Sequence, residues 1–271
     1  MSKKFKPSKR KKSISTTSSS VDKCISFINQ QIFAENYSEV VVTCERLLNY
    51  LPQHSSLRVD VLTRLGMAHA MLQNFPQAYD IFTEALTLDP NNADVLYNRC
   101  TVARYTGRVG QSLYDIERAN ELNKRSELKE KISESLQLSR ELVEKSIQLR
   151  GPNFTLGQLV EQEDHFQRGL KLMDAGRWEE SGQAFQAAID MGDCWPQPWG
   201  NLGICFMMQE RYDEAEEALK RAIAMDPTYT IAKNNLAALP TFRRTGPPEM
   251  IAMNEPFRHS KFKQSITFIR E

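Results

Sequence analysis

The residue types that most often carry chemistry are scattered along this chain. His54, His69, His165 and His259 show no metal-ligand spacing among themselves, and the five cysteines include no CxxC pair. No phosphate-cradling GxxxxGK[ST], zinc-binding HExxH or nucleophile-bearing GxSxG occurs. The paired acids Glu179-Glu180 and Glu216-Glu217 read as solvated charges on helix faces. An enzyme needs a nucleophile with its base, a metal set or a phosphate loop. The reading is therefore a protein without catalysis, cofactor or metal. What the chain offers is binding chemistry. Seven of its 35 Lys and Arg residues (Lys3, Lys4, Lys6, Lys9, Arg10, Lys11 and Lys12) crowd its start, and no acid precedes Asp22. Such a run suits a solubilising tail, a nuclear-import signal or a contact with nucleic acid or the ribosome.

Any binding residues must be positioned by helices. Residues 196–229 carry Trp199, Leu202, Gly203, Phe206, Tyr212, Ala215, Leu219, Ala222 and Pro227, at spacings that recur along the chain every 34 residues. Leu202 and Phe206 lie four apart and share one helical face. Leu219 and Ala222 do the same on a second helix. Gly203 and Ala215 are small where two backbones must approach closely. Arg211 falls where a turn is needed. Pro227 cannot continue a helix and closes the unit. An antiparallel helix pair of this kind has one apolar face too many and must stack on neighbours to bury it.

The pattern resembles the tetratricopeptide repeat (TPR) family, with Phe206 as the aromatic and Leu219 as the second large residue. The resemblance implies an all-α fold, a right-handed superhelix of antiparallel helix pairs. It covers most of residues 21–239. Residues 1–20 have too little apolar content to fold and read as a disordered basic tail. Repeats are expected at 21–54, 59–92 and 93–126. In the first, Ile28 stands at the Gly203 place and Leu47 at the Ala222 place, which predicts looser packing. Residues 55–58 are an insertion. In the third, Arg99 replaces the buried leucine, and a buried guanidinium needs a partner. Asp115 is the expected one. Residues 127–153 predict a long amphipathic helix striped by Leu128, Ile132, Leu136, Val143 and Ile147, ended by Gly151-Pro152-Asn153. Thr155 is placed to N-cap the next helix. Repeats at 162–195 and 196–229 follow. In the former, Arg168 takes the leucine place with Ala184 where the third repeat has Asp115, so it lacks that partner. Residues 230–239 read as a capping helix cut short by Pro240. Residues 240–271 read as a flexible tail in which Phe262, Ile266 and Phe268 fall on one side of an extended strand.

In the family the concave groove is lined by the first helix of each pair. The resemblance therefore implies a peptide-binding groove of Arg64, Met67, Tyr97, Asn98 and Arg104 in the first array. In the second it implies Phe166, Leu170, Met173, Asn201, Met207, Met208 and Asn235. Asn98, Asn201 and Asn235 hold the same place in three repeats. An amide carries both donors and an acceptor, so it can hold a peptide backbone without reading side chains. Methionines adapt to varied apolar partners. One TPR subclass grips the acidic tails of heat-shock chaperones with a clamp of Lys, Asn and Arg. Here the first Lys place is Ile25, Thr63, Tyr97, Phe166 or Gly200, and the second is Asp22, Asp60, Asp94, Glu163 or Gln197. The clamp is missing, and acids would repel such a tail.

The formal net charge is +1, and beyond residue 12 the balance is 28 basic against 34 acidic residues. No apolar run is long enough to span a membrane. Cys24, Cys44, Cys100 and Cys205 fall on inward places, which suits a reducing compartment: the cytoplasm, or the nucleus in a eukaryote. The expected function is a scaffold or adaptor that binds a protein or peptide segment. Two alternatives stand beside it. One is a nucleic-acid- or ribosome-associated adaptor using the basic tail. The other is a self-associating scaffold regulated by its C-terminal tail.

Overall fold

The computed structural model describes residues 11–53 and 55–247. The side chains of Lys3, Lys4, Lys6, Lys9, Arg10, Lys11 and Lys12, and the alternating segment at Phe262, Ile266 and Phe268, lie outside what is described. The described residues form twelve α-helices and one short 3-10 turn, with no strand. Paired helices are α1 (Lys11–Phe33) with α2 (Tyr37–Tyr50), α3 (Ser56–Met71) with α4 (Phe75–Leu88), and α5 (Ala93–Tyr105) with α6 (Val109–Leu122). After α7 (Lys129–Gln148) come α8 (Leu156–Asp174) with α9 (Trp178–Met191), α10 (Pro196–Met208) with α11 (Tyr212–Met225), and α12 (Thr230–Thr245).

Each pair turns at one residue in the left-handed region. These are Glu35, Gln73, Gly107, Gly176 and Glu210, with φ between 56° and 76°. They hold the same place in each repeat, two residues before the start of the second helix. Side chains of L-residues resist this geometry by about 1–2 kcal/mol. At Glu35, Gln73 and Glu210 the turn is thus imposed by the packing of the two helices, whereas Gly107 and Gly176 adopt it freely.

Close approach within pairs explains the small residues. A Cβ on Gly66 would lie 2.6 Å from the Phe82 ring, one on Gly169 2.6 Å from Phe185, and one on Gly203 2.7 Å from Leu219. In the two repeats without that glycine the sizes change together. Ile28 is matched with Cys44, and Cys100 with Ile116, and all four are fully buried. The looser packing expected from Ile28 is therefore not found, because a small residue stands at the place where the other repeats carry a large one.

The chain divides into two compact units. In its described part the first takes residues 11–106 and 115–132, and the second takes 107–114 and 133–247. In the first unit, Arg58 is buried and closes the exposed carbonyls at the end of α2. It donates to Leu48 O at 2.9 Å and Leu51 O at 3.4 Å, and reaches Glu84 at 3.3 Å. The expected Arg99–Asp115 pair is present and bidentate. Arg99 Nε donates to Asp115 Oδ2 at 2.8 Å and Nη2 to Oδ1 at 2.6 Å, with Nη1 on the Thr83 hydroxyl at 3.3 Å. Asp115 is 2% exposed, so the guanidinium is its main compensation.

In the second unit, buried Ser112 meets Ser139 at 3.2 Å, which lets α6 and α7 approach closely. Thr155 caps α8 in a full capping box with Gln158. The boundary between units does not fall at Gly151, where the sequence breaks. Arg150 lies over the Phe154 ring at 5.5 Å and the Trp195 ring at 4.4 Å, and donates to Gln162 Oε1. Those contacts tie the turn after α7 to α8 and to the start of α10.

Two expectations are corrected. α1 begins at Lys11, inside the stretch expected to be a tail. No Gly or Pro lies between Lys11 and Phe33 to stop the helix propagating back from its packed end. α12 runs through Pro240 to Thr245 instead of ending there. Leu239 is buried and Phe242 packs on the last core cluster, which holds the helix together past the missing N–H.

Candidate peptide-binding site

The first helices of the second unit carry an open, largely apolar face. Phe166, Leu170 and Met173 project from one side of α8 and lie, half-buried, against the core of Phe185, Ile189, Leu202 and Cys205. Phe166 meets the Phe185 ring at 5.6 Å and the Trp195 ring edge-on at 5.9 Å. Asn201 and Met208 on α10 and Asn235 on α12 are likewise half-buried. Among the described residues, neither Asn201 nor Asn235 makes a side-chain hydrogen bond, so both amides keep donors and an acceptor for a ligand. Met207 was expected beside them but is 3% exposed. It packs with Ala215, Leu219 and Ala222 because α10 turns that position toward α11.

In the first unit the expected residues are more occupied. Met67, Tyr97 and Asn98 are buried, Asn98 completely. Arg64 donates to Asn29 Oδ1 at 3.1 Å and pairs with Asp60. Arg104 donates to the Cys100 sulfur at 2.9 Å. Arg64 and Arg104 remain partly accessible.

The acids found where a chaperone-type clamp needs its second lysine have structural work in this protein. Asp60 pairs with Arg64, and Asp94 with Arg125. Glu163 is 3% exposed, and both its oxygens accept from Gly110 N at 3.1 Å. It thus caps the start of α6 from a distant helix. Burial pushes its carboxyl up to about 8, while those N–H groups and Arg150 pull it down. The sequence offered no signal for this contact, since the partners are 53 residues apart.

Burial pushes the Cys44 thiol up to about 12 and Cys205 to about 11, which keeps both protonated and inert. The described residues hold no group of three His, Cys, Asp or Glu able to bind a metal. No described helix is long and apolar enough to cross a membrane.

Residues 59–92 and 196–229 each match the family models described as tetratricopeptide repeat. The chain is a TPR protein. The matched residues take in most of the α3–α4 pair and all of the α10–α11 pair, and repeats of this family are protein-binding scaffolds. The peroxisomal targeting signal receptor of Yarrowia lipolytica is 37% identical over 81 residues. That stretch is 30% of this TPR protein and only 14% of the receptor. Among solved structures, the TPR domain of P58(IPK) is similar at a TM-score of 0.46 and 10% identity, over 82% of this chain and 65% of that one. The TPR2AB domain of yeast Sti1, solved in complex with pHSP90, gives 0.41 and 12%, over 83% and 84%. YrrB, a TPR protein with an unusual peptide-binding site, gives 0.35 and 19%, over 78% and 89%.

Proposed function

We propose that this protein is a non-enzymatic adaptor that holds a peptide segment of a partner protein against the first-helix face of α8, α10 and α12. The observation carrying the proposal is the pair Asn201 and Asn235. Both are partly open, both lack an internal hydrogen bond, and half-buried Phe166, Leu170, Met173 and Met208 flank them. Amides suit the backbone of an extended segment, and the apolar flank suits its side chains. Partial identity to a receptor for a targeting signal supports recognition of a short segment.

The test is capture of partners by the immobilised full chain from nuclease-treated lysate, compared with Asn201→Ala/Met208→Ala. Both positions are partly exposed, so the double variant is expected to keep the wild-type circular dichroism and melting temperature. Its captured partners should fall at least about tenfold, as expected on losing two ligand contacts of order 1 kcal/mol each. Unchanged capture would remove this face from the function. Loss of all partners on nuclease treatment alone would move it to nucleic acid.

A further inference from the structure

A second feature of α8 lies away from the apolar face. Gly157, Val160, Glu161, Asp164, His165 and Arg168 line one concavity of about 340 Å³. Asp164 and Arg168 also line a second, of about 360 Å³, together with Arg108, Gln167, Lys171 and Arg177. The shared residues make one continuous furrow along the helix. At about 100° per residue, Asp164, Arg168 and Lys171 stand on the opposite side of α8 from Phe166, Leu170 and Met173. The furrow is thus separate from the face proposed above.

Its charge is polarised. Arg108, Lys171 and Arg177 line one end only and Glu161 the other only, with Asp164 and Arg168 shared between them. Arg177 is partly neutralised by Glu180, which accepts from its Nε at 2.7 Å. Arg168 is exposed and makes no ion pair or side-chain hydrogen bond among the described residues. The floor is built, not incidental. Arg108 is 7% exposed and Gln167 9% exposed. The Glu163–Gly110 contact, two residues along from Arg108, fixes α6 against α8 beneath them.

We propose that this furrow docks a peptide segment of a partner protein that carries acidic side chains at one end and neutral or basic ones at the other. The carboxylates would lie among Arg108, Arg168 and Lys171. Length favours a chain over a small anion. From Gly157 to Ala175 the helix runs roughly 27 Å, enough for roughly eight residues of extended peptide. Nucleic acid fits poorly, because its next phosphates would meet Glu161 and Asp164.

The test uses the full chain and fluorescence anisotropy at low salt. The probes are a labelled ten-residue peptide with four Glu at one end and Gln and Lys at the other, its four-Glu fragment, and oligothymidine. The ten-residue peptide should bind more tightly than either of the others. Arg168→Glu/Lys171→Glu should weaken it at least tenfold. Asn201→Ala/Met208→Ala should leave it unchanged, so the furrow and the apolar face fail or stand separately. Asp164→Asn should strengthen binding of the four-Glu fragment several-fold, a gain that misfolding cannot imitate. Binding that ignores the Arg168/Lys171 reversal would overturn the proposal. So would a fragment or oligothymidine that binds as tightly as the peptide and responds to that reversal.

Discussion

Arg99 shows how a charged residue can be structural inside a helix pair. Two short bonds to Asp115, a third to Thr83 and the Tyr79 ring at 5.6 Å surround its guanidinium. Removing one partner strands the other charge in the core. Arg99→Met should therefore cost about 3–5 kcal/mol, while Arg99→Met/Asp115→Leu should recover most of it. Urea unfolding of the double-mutant cycle measures this. The pair was legible in the sequence because both residues lie in one repeat, whose internal geometry is set. Glu163 was not legible, and it predicts a pH effect. Its folded value of about 8 lies above its ordinary value of 4.5, so between these the folded state holds a proton that the unfolded chain releases. This contribution to stability is complete below about pH 4.5 and is lost as pH rises through about 8, at up to about 1.4 kcal/mol per pH unit. Unfolding at about pH 5.5 and pH 8.5 should show that fall in the wild type and a flatter profile in Glu163→Gln.

Between elements, the unit of packing is a pair of positions and not a single residue. Gly66 with Phe82 and Cys100 with Ile116 fill corresponding contacts with different divisions of volume. Gly66→Cys alone would drive a side chain into the Phe82 ring, at a cost of about 1–3 kcal/mol or more. Gly66→Cys/Phe82→Ile reproduces the third repeat's solution and should be closer to wild type than either single change. Denaturant midpoints of the four proteins check this, and additivity would show that the two positions do not share a contact. Sequence periodicity placed the helices well, including Thr155 as the cap of α8. It misjudged two ends. α1 reaches back to Lys11 and α12 continues past Pro240. Local composition argued for stops in both, but a helix packed along part of its length extends as far as nothing forbids it.

At the scale of the molecule, the proposed binding of a partner protein rests on exposed first-helix faces. The second unit carries two such surfaces on α8, one apolar with neighbouring amides and one polarised by charge. They differ in their expected response to salt. Docking of acidic peptide in the furrow should weaken steeply between about 50 and 200 mM salt, while binding on the apolar face should change little. The helix pairs, their turns and the close-packed Gly–Phe contacts were legible in the residue pattern, because these depend on spacings within one repeat. The folded packing alone shows that Met207 faces the core, that Asn201 and Asn235 stay open, and that Arg108 and Arg168 line one furrow. It also decided that the Gly151 break is not where the compact units part. Each of these rests on the rotation and approach of packed helices, which are set by the summed packing of many side chains and leave no mark on local spacing.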